Sequence, residues 1–128
     1  MMKKLITATL VLGFISVFVT STFVNAGTTK ANYSTTVGKL NGSGYTGYQS
    51  KATAGTKADL YSTKTGNYEV DVRTNSSGSN GTWSRAVKNG TTRQLSNSHN
   101  KGTNVRLQFS NNITTLVNVQ VSGSWRSN

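Results

Sequence analysis

Three short stretches of this chain alternate strictly between apolar and polar residues. In residues 68–73 the apolar residues Tyr68, Val70 and Val72 are interleaved with charged ones, and residues 105–109 and 117–121 repeat the pattern. Successive side chains of a β-strand point to opposite faces of its sheet, so this alternation is typical of a strand with one buried and one solvated face. We therefore predict half-buried strands at these three positions.

Weaker alternation predicts four further strands, at residues 34–40, 45–56, 82–88 and 91–95. Turn signals rich in Asn, Gly and Ser separate the strands, and Asn89-Gly90 is the strongest of them. The last two strands are joined by residues 111–115, a length that suits an antiparallel hairpin. About seven short strands with closely spaced turn signals predict an all-β fold, a single antiparallel β-sandwich.

The apolar residues along this pattern supply a candidate core. It consists of Val37, Tyr48, Ala52, Leu60, Tyr68, Val70, Val72, Trp83, Val87, Leu95, Val105, Leu107, Phe109, Val117, Val119, Val121 and Trp125. No break in composition divides residues 27–128, so we predict that they form one domain.

The N-terminus follows a different pattern. Lys3 and Lys4 precede an apolar run of 15 residues from Leu5 to Val19, and Val24-Asn25-Ala26 carries small residues where a signal peptidase requires them. The run is shorter than the ~20 residues that span a bilayer. We predict a signal peptide over residues 1–26, with cleavage between Ala26 and Gly27. The domain is then expected to be secreted, either extracellular or associated with the wall of a Gram-positive cell.

Composition changes this picture in two ways. The chain has no cysteine, so its stability must come from its core and does not depend on the redox state of its surroundings. Without Lys3 and Lys4, the remaining 12 basic residues outnumber the three acidic ones by nine. A net charge of about 2 to 8 suffices for the solubility of a small domain, so this excess favours an anionic partner.

Few residues could support catalysis. His99 is the only histidine, it lies in the polar stretch 96–102, and no Gly-x-Ser-x-Gly motif accompanies it. Glu69 and Asp71 are spaced to lie about 7 Å apart on one face of a strand, a separation that inverting glycosidases use. We expect instead that both acids pair with neighbouring Lys or Arg. The sequence therefore predicts a protein without enzymatic activity, metal or cofactor.

The arginines are the candidate anion-binding residues, because a planar guanidinium can grip a phosphate or carboxylate with two hydrogen bonds. They are Arg73, Arg85, Arg93, Arg106 and Arg126. Arg73 and Arg106 would form part of a binding stripe if they shared the solvated face of one sheet. Alternatively, the basic residues are scattered for solubility and against edge pairing.

Two resemblances to known families complete the interpretation. Residues 105–107, the pair Asn111-Asn112 and residues 119–125 (VQVSGSW) resemble the C-terminal part of a family of small exported proteins of unknown function from Bacillus-like bacteria. That resemblance implies the fold but no activity. Gly81-Thr82-Trp83 resembles an element of the lactococcin 972-like bacteriocins, which are exported, cysteine-free, basic β-proteins. This second resemblance implies an antibacterial role.

Together these features predict a non-catalytic, cationic, monomeric protein whose partner is an anionic cell-wall polymer or a membrane surface. Teichoic acids and anionic lipid headgroups are the anions that an exported protein meets there, and we do not expect nucleic acid to be a partner. Two alternatives stay open. One is a bacteriocin-like protein that acts on competing Gram-positive cells, and the other is a small secreted hydrolase.

Overall fold

The computed structural model describes residues 25–128, which contain β-strands and no helix. The predicted signal peptide lies outside the described residues except for Asn25 and Ala26. In the described part of the chain, no helix is available that could cross a membrane.

Eleven strands follow one another along residues 25–128. They are β1 (Asn25–Ala26), β2 (Ala31–Val37), β3 (Ser43–Tyr45), β4 (Gln49–Ser50), β5 (Ala58–Lys64), β6 (Val70–Ser76), β7 (Ser79–Asn80), β8 (Ser84–Val87), β9 (Thr91–Leu95), β10 (Asn104–Asn111) and β11 (Val119–Arg126).

These strands form two sheets. The first has the order β1-β4-β10-β6-β7, with β3 also paired to β10 and β8 also paired to β6, and the second has the order β2-β11-β5-β9. Among the described strands, every pairing is antiparallel except that of β1 with β4. The predicted fold class, an antiparallel β-sandwich, is confirmed. Of the strands in residues 25–128, cleavage after Ala26 would remove β1 alone.

The pair β6–β10 is the centre of the first sheet. Six residue pairs join the two strands, from Val70 opposite Asn111 to Asn75 opposite Arg106. Burial alternates along both strands, so that one side chain in two enters the core and the next faces outward. The same two strands therefore build both the core and the outer face of this sheet.

The core lies between the sheets and is mostly aliphatic. Tyr33 of β2 packs against Phe109 of β10 with ring centroids 5.2 Å apart, which joins the second sheet to the first. The buried apolar residues are Tyr33, Val37, Ala58, Leu60, Val70, Val72, Val87, Leu95, Val105, Leu107, Phe109, Val119, Val121 and Trp125.

The predicted strand positions are correct in most places and wrong in two. Seven of the eleven strands have four or more residues, and the alternation found all of these but β5. Two of the inward positions of β5 are occupied by Ala58 and the buried Ser62, so hydrophobicity does not reveal its period. The long strand predicted at residues 45–56 is only the two-residue β4 and the end of β3. After β4 the Lys51 backbone still bonds to Gly102 and Thr103, and the chain then continues as a loop.

The hairpin predicted across residues 111–115 is wrong. β10 and β11 belong to different sheets, and the connection between them crosses from one sheet to the other. Asn111 anchors this crossing, since its buried side-chain amide donates to the carbonyl oxygens of Val37 (3.1 Å) and Gly38 (2.9 Å) at the end of β2. A side-chain bond to the second sheet thus replaces the turn that a hairpin would need.

Five residues of the predicted core lie elsewhere. Tyr48, Tyr68 and Val117 are exposed, while Ala52 and Trp83 are only half-buried. None of these lies at a buried position of a strand, so the strand alternation does not carry them inward. Tyr33 and Ala58, which are not in the predicted core, are buried in the observed one.

A matched pair of leucines tests the core boundary. Leu107→Ala removes a fully buried side chain and should lower the free energy of unfolding by about 2–5 kcal/mol through lost burial and a residual cavity. Leu116→Ala removes a side chain that is 74% exposed and should change it by less than about 0.5 kcal/mol. Urea unfolding followed by tryptophan fluorescence measures both, and equal losses would contradict the core described here.

Candidate anion-binding face

The outward positions of β6 and β10 bring two of the predicted arginines onto one face. Arg73 lies opposite Gln108, and Arg106 lies opposite Asn75. The Nε atom of Arg73 donates to Oε1 of Gln108 at 2.8 Å, and the Nε atom of Arg106 donates to Oδ1 of Asn75 at 2.8 Å. Each guanidinium is therefore oriented through Nε, and its terminal nitrogens make no hydrogen bond within residues 25–128.

Aromatic rings support these guanidinium groups. The Arg73 guanidinium carbon lies 4.3 Å from the centroid of the Trp83 ring. The Arg106 guanidinium carbon lies 3.9 Å from the centroid of the Tyr45 ring and 5.2 Å from that of Tyr48. These are cation–π distances, and stacking of a planar guanidinium on a ring restricts its motion without using its donors.

Arg85 extends the face beyond Trp83. Its guanidinium carbon lies 5.6 Å from the centroid of the Trp83 ring, on which Arg73 also stacks, and its NH1 group donates to Oδ2 of Asp71 at 2.6 Å. The other oxygen of Asp71 accepts from the backbone N–H of Ala86, whose φ of 57° lies in the left-handed region. The register of β6 and β8 shifts at this point, so Asp71 holds a bulge that directs Arg85.

We name this surface the arginine–aromatic face. Its members are Tyr45, Tyr48, Arg73, Trp83, Arg85, Arg106 and Gln108. The sequence analysis made a binding stripe conditional on Arg73 and Arg106 sharing the outer face of one sheet, and the register of β6 and β10 places both on that face.

The other two candidate arginines are used differently. Arg93 of β9 donates to the carbonyl oxygen of Arg85 at 2.8 Å and to Oγ of Ser84 at 3.2 Å, so it ties the second sheet to the first. Arg126 of β11 donates through Nε to Oδ2 of Asp59 at 2.8 Å in the second sheet. Burial acts to raise the pKa of Asp59, but hydrogen bonds, that from Arg126 foremost, outweigh it and hold the pKa below its ordinary value. Arg126 is not part of the arginine–aromatic face.

The two acidic residues Glu69 and Asp71 each form an ion pair with a basic side chain. Asp71 binds Arg85, and Glu69 precedes β6 and lies 3.6 Å from Nζ of Lys88. The expectation that both acids pair with basic side chains is confirmed. Because Glu69 lies before the strand rather than in it, the spacing predicted for two carboxylates on one strand does not apply.

His99 is buried at the end of the sandwich that carries the C-terminus. Its Nε2 atom lies 2.9 Å from Oγ1 of Thr74, and its Nδ1 atom lies 3.4 Å from Oγ of Ser76, beside a cleft of about 310 Å³. The Ser76 hydroxyl also donates to the carbonyl oxygen of Ser79. Within residues 25–128, no carboxylate contacts the imidazole ring to complete a catalytic triad.

Lys51 lies near His99 and is also buried. Its ammonium group donates to the carbonyl oxygens of Thr56 and Ser127 and to Oγ1 of Thr56. Burial lowers the pKa of Lys51. Burial, and then the positive charge of Lys51, also lower the pKa of His99 below its ordinary value.

The sequence did not reveal the aromatic members of this face. The apolar rings of Tyr48 and Trp83 predict core positions, but in the structure both rings lie against guanidinium groups of the outer face. The signal that could have found Gln108 is its position two residues after Arg106, which places both on one face of a strand.

Comparison with protein-family models, with curated proteins and with solved structures finds no match for this chain. The fold and this face define its class, a β-sandwich with a cationic, aromatic outer surface.

The burial of His99 predicts a pH dependence of stability. The unfolded chain takes up a proton at about pH 6.5, whereas the folded chain does so only at lower pH, so stability is complete above 6.5 and falls as the pH drops through the folded pKa. His99 is the only histidine, so its ring protons give a single NMR titration. We expect the NMR titration of His99 to have its midpoint below pH 6.5, and the urea concentration at half-unfolding to fall between pH 7 and pH 5. A titration midpoint above pH 6.5 would contradict this prediction.

Proposed function

We propose that this protein is an exported, non-catalytic protein that binds anionic polymers of the Gram-positive cell envelope through its arginine–aromatic face. The observation that carries the proposal is the pair Arg73 and Arg106, each oriented through Nε and stacked on a ring with its terminal nitrogens directed to no partner in the described chain. Donors fixed in this way lose little freedom when they bind an anion.

The spacing of the two arginines favours a repeating anion. Arg73 of β6 lies opposite Gln108 of β10. Arg106 comes two residues before Gln108 on β10, so the two arginines are diagonal neighbours. Diagonal positions of an antiparallel pair lie about 7–8 Å apart. Two oriented cations on backbone positions that far apart, with Arg85 further along the face, suit successive charges of one chain better than a single small anion.

Export and charge together support the choice of polymer. The signal-peptide pattern predicts that the domain meets the cell envelope, and its excess of nine basic residues favours a polyanion there. Teichoic acids are polyanions with a repeating phosphate, which a guanidinium can bind with two hydrogen bonds. Arginines beside aromatic rings also suit single-stranded nucleic acid, so that polymer serves as a competitor in the test.

Sedimentation with purified Gram-positive cell walls tests the proposal. The variant R73Q/R106Q should bind walls at least about tenfold more weakly, because two charge-assisted hydrogen-bond donors are lost. Affinity should fall steeply with salt, and the slope should become shallower in the variant by about one unit per arginine, as for phosphate contacts elsewhere.

The control variant is K57Q/K101Q, which removes the same charge from exposed lysines outside the face. It should weaken binding much less than R73Q/R106Q. Equal loss in both variants would mean that net charge alone attracts the wall. Undiminished binding to walls stripped of teichoic acid, or complete displacement by a single-stranded oligonucleotide at equal phosphate concentration, would overturn the choice of polymer.

A further inference from the structure

The exposed large apolar side chains fall into two groups. Tyr45 and Tyr48 belong to the arginine–aromatic face. The others all lie in loops, and they are Leu40, Tyr68, Ile113, Leu116 and Val117. The four aliphatic residues of this second group, Leu40, Ile113, Leu116 and Val117, are named the apolar tip.

Hydrogen bonds join the two loops that form the apolar tip. The backbone N–H of Leu40 donates to the carbonyl oxygen of Thr115 at 2.8 Å, and that of Asn41 donates to the carbonyl oxygen of Asn112 at 3.2 Å. The backbone N–H of Lys39 donates to Oδ1 of Asn118 at 3.0 Å. One loop follows β2 and the other follows β10, so the tip is a built junction between the two sheets.

The backbone presents Leu40 at a conformational cost. Its φ is 55°, in the left-handed region that leucine rarely adopts, and the following Asn41 has a φ of 65°. Leu40 is nevertheless about half exposed, so burial of its side chain in the core does not offset the free-energy cost of this backbone conformation. Strained backbone of this kind concentrates where a protein presents a side chain to a ligand.

Lysines accompany the tip at the same end of the sandwich. Lys39 lies within the first loop, and Lys64 and Lys88 adjoin the turns after β5 and β8. These turns are tied together, because Asn89 bonds to Thr65 and Asn67. The turn at Gly66 lies beside the second loop. A Cβ atom placed on Gly66 would be 3.9 Å from a methyl group of Val119, the first residue of β11 after that loop. Of the three lysines only Lys88 has an acidic partner among the described residues, the exposed Glu69.

We propose that the apolar tip inserts into the interfacial region of a lipid bilayer that carries anionic headgroups. Aliphatic side chains at the end of a domain can enter the acyl boundary while flanking lysines meet the headgroups, and both contributions strengthen binding. A second copy of this chain fits the tip less well, since it would bring like-charged lysines of two strongly basic domains together. The inference is independent of polymer binding, because the tip and the arginine–aromatic face share no residue.

A local fluorescence measurement on the whole chain tests insertion. The protein has no cysteine, so Leu116→Cys places a single polarity-sensitive dye on the tip, and Ser77→Cys places it in the exposed turn between β6 and β7 at the opposite end. With vesicles of phosphatidylcholine and phosphatidylglycerol in equal parts, the dye at position 116 should shift its emission to the blue and be quenched by spin-labelled lipid. The dye at position 77 should do neither. Since the dye reports only its own surroundings, lipid contacts of residues 1–24 do not produce the signal.

A pair of double variants measures the contribution of the tip. With the dye at Val117→Cys, Ile113→Asn combined with Leu116→Asn should weaken the vesicle-dependent signal at least about tenfold, because burial of two such side chains is lost. Both side chains are more than 70% exposed (72% and 74%), so the fold should be unchanged, which the thermal unfolding midpoint checks. Ile113→Leu combined with Leu116→Ile keeps the apolar surface and should bind as the parent does.

Three results would overturn the proposal. The first is a tip dye that stays in water while the protein sediments with vesicles. The second is binding that high salt abolishes and that the asparagine variant leaves intact, which would indicate adsorption through the arginine–aromatic face. The third is a tip dye that responds to protein concentration without vesicles, which would indicate that the tip binds a second copy.

Discussion

The register of β6 and β10 is the constraint on which the rest of this structure depends. Six residue pairs alternate between a fully buried row that includes Val72, Leu107 and Phe109 and an outward row that includes Arg73 and Arg106. A slip of either strand by one residue would exchange the two faces of that strand, placing its guanidinium group in the core and its apolar side chains in water. The cost of that exchange fixes the register, so the core specifies the geometry of the arginine–aromatic face.

Buried polar side chains join the two sheets at the end of β11, where the backbone hydrogen bonds between strands stop. The Gln49 side chain donates to the carbonyl oxygen of Trp125 at 3.0 Å and accepts from the backbone N–H of Ser127 at 2.8 Å, and Lys51 donates to the carbonyl oxygen of Ser127 at 2.6 Å. These bonds fasten the first sheet to the end of β11 in the second. A small domain without disulfides thus joins its sheets through side-chain amides and one ammonium group, and each buried donor is stabilising only because it is satisfied.

Alternation in the sequence was sufficient for those strands whose inward side chains are apolar, and it placed Arg73 and Arg106 on outward positions. It failed for β5, where Ser62 faces inward, and for the Asn111 crossing, where a side-chain bond to another sheet replaces a local turn. The aromatic half of the face was also beyond its reach. A Tyr or Trp ring can fill a core or stack under a guanidinium, and only the register, which joins residues more than 30 apart, decides between them.

The two proposed contacts are compatible because they lie at different heights along the same strands. Asn111 of β10 adjoins the apolar tip. Arg73 lies opposite Gln108, which is three positions before Asn111, and Arg106 is five positions before Asn111. At about 3.4 Å per residue these arginines stand roughly 10–17 Å from the tip end of the sheet. The headgroup layer on one side of a bilayer is only about 5–8 Å deep. A domain standing on its tip would therefore keep Lys39 and Lys88 among the headgroups and hold Arg73 and Arg106 above them, where the anions belong to wall polymers rather than to lipids.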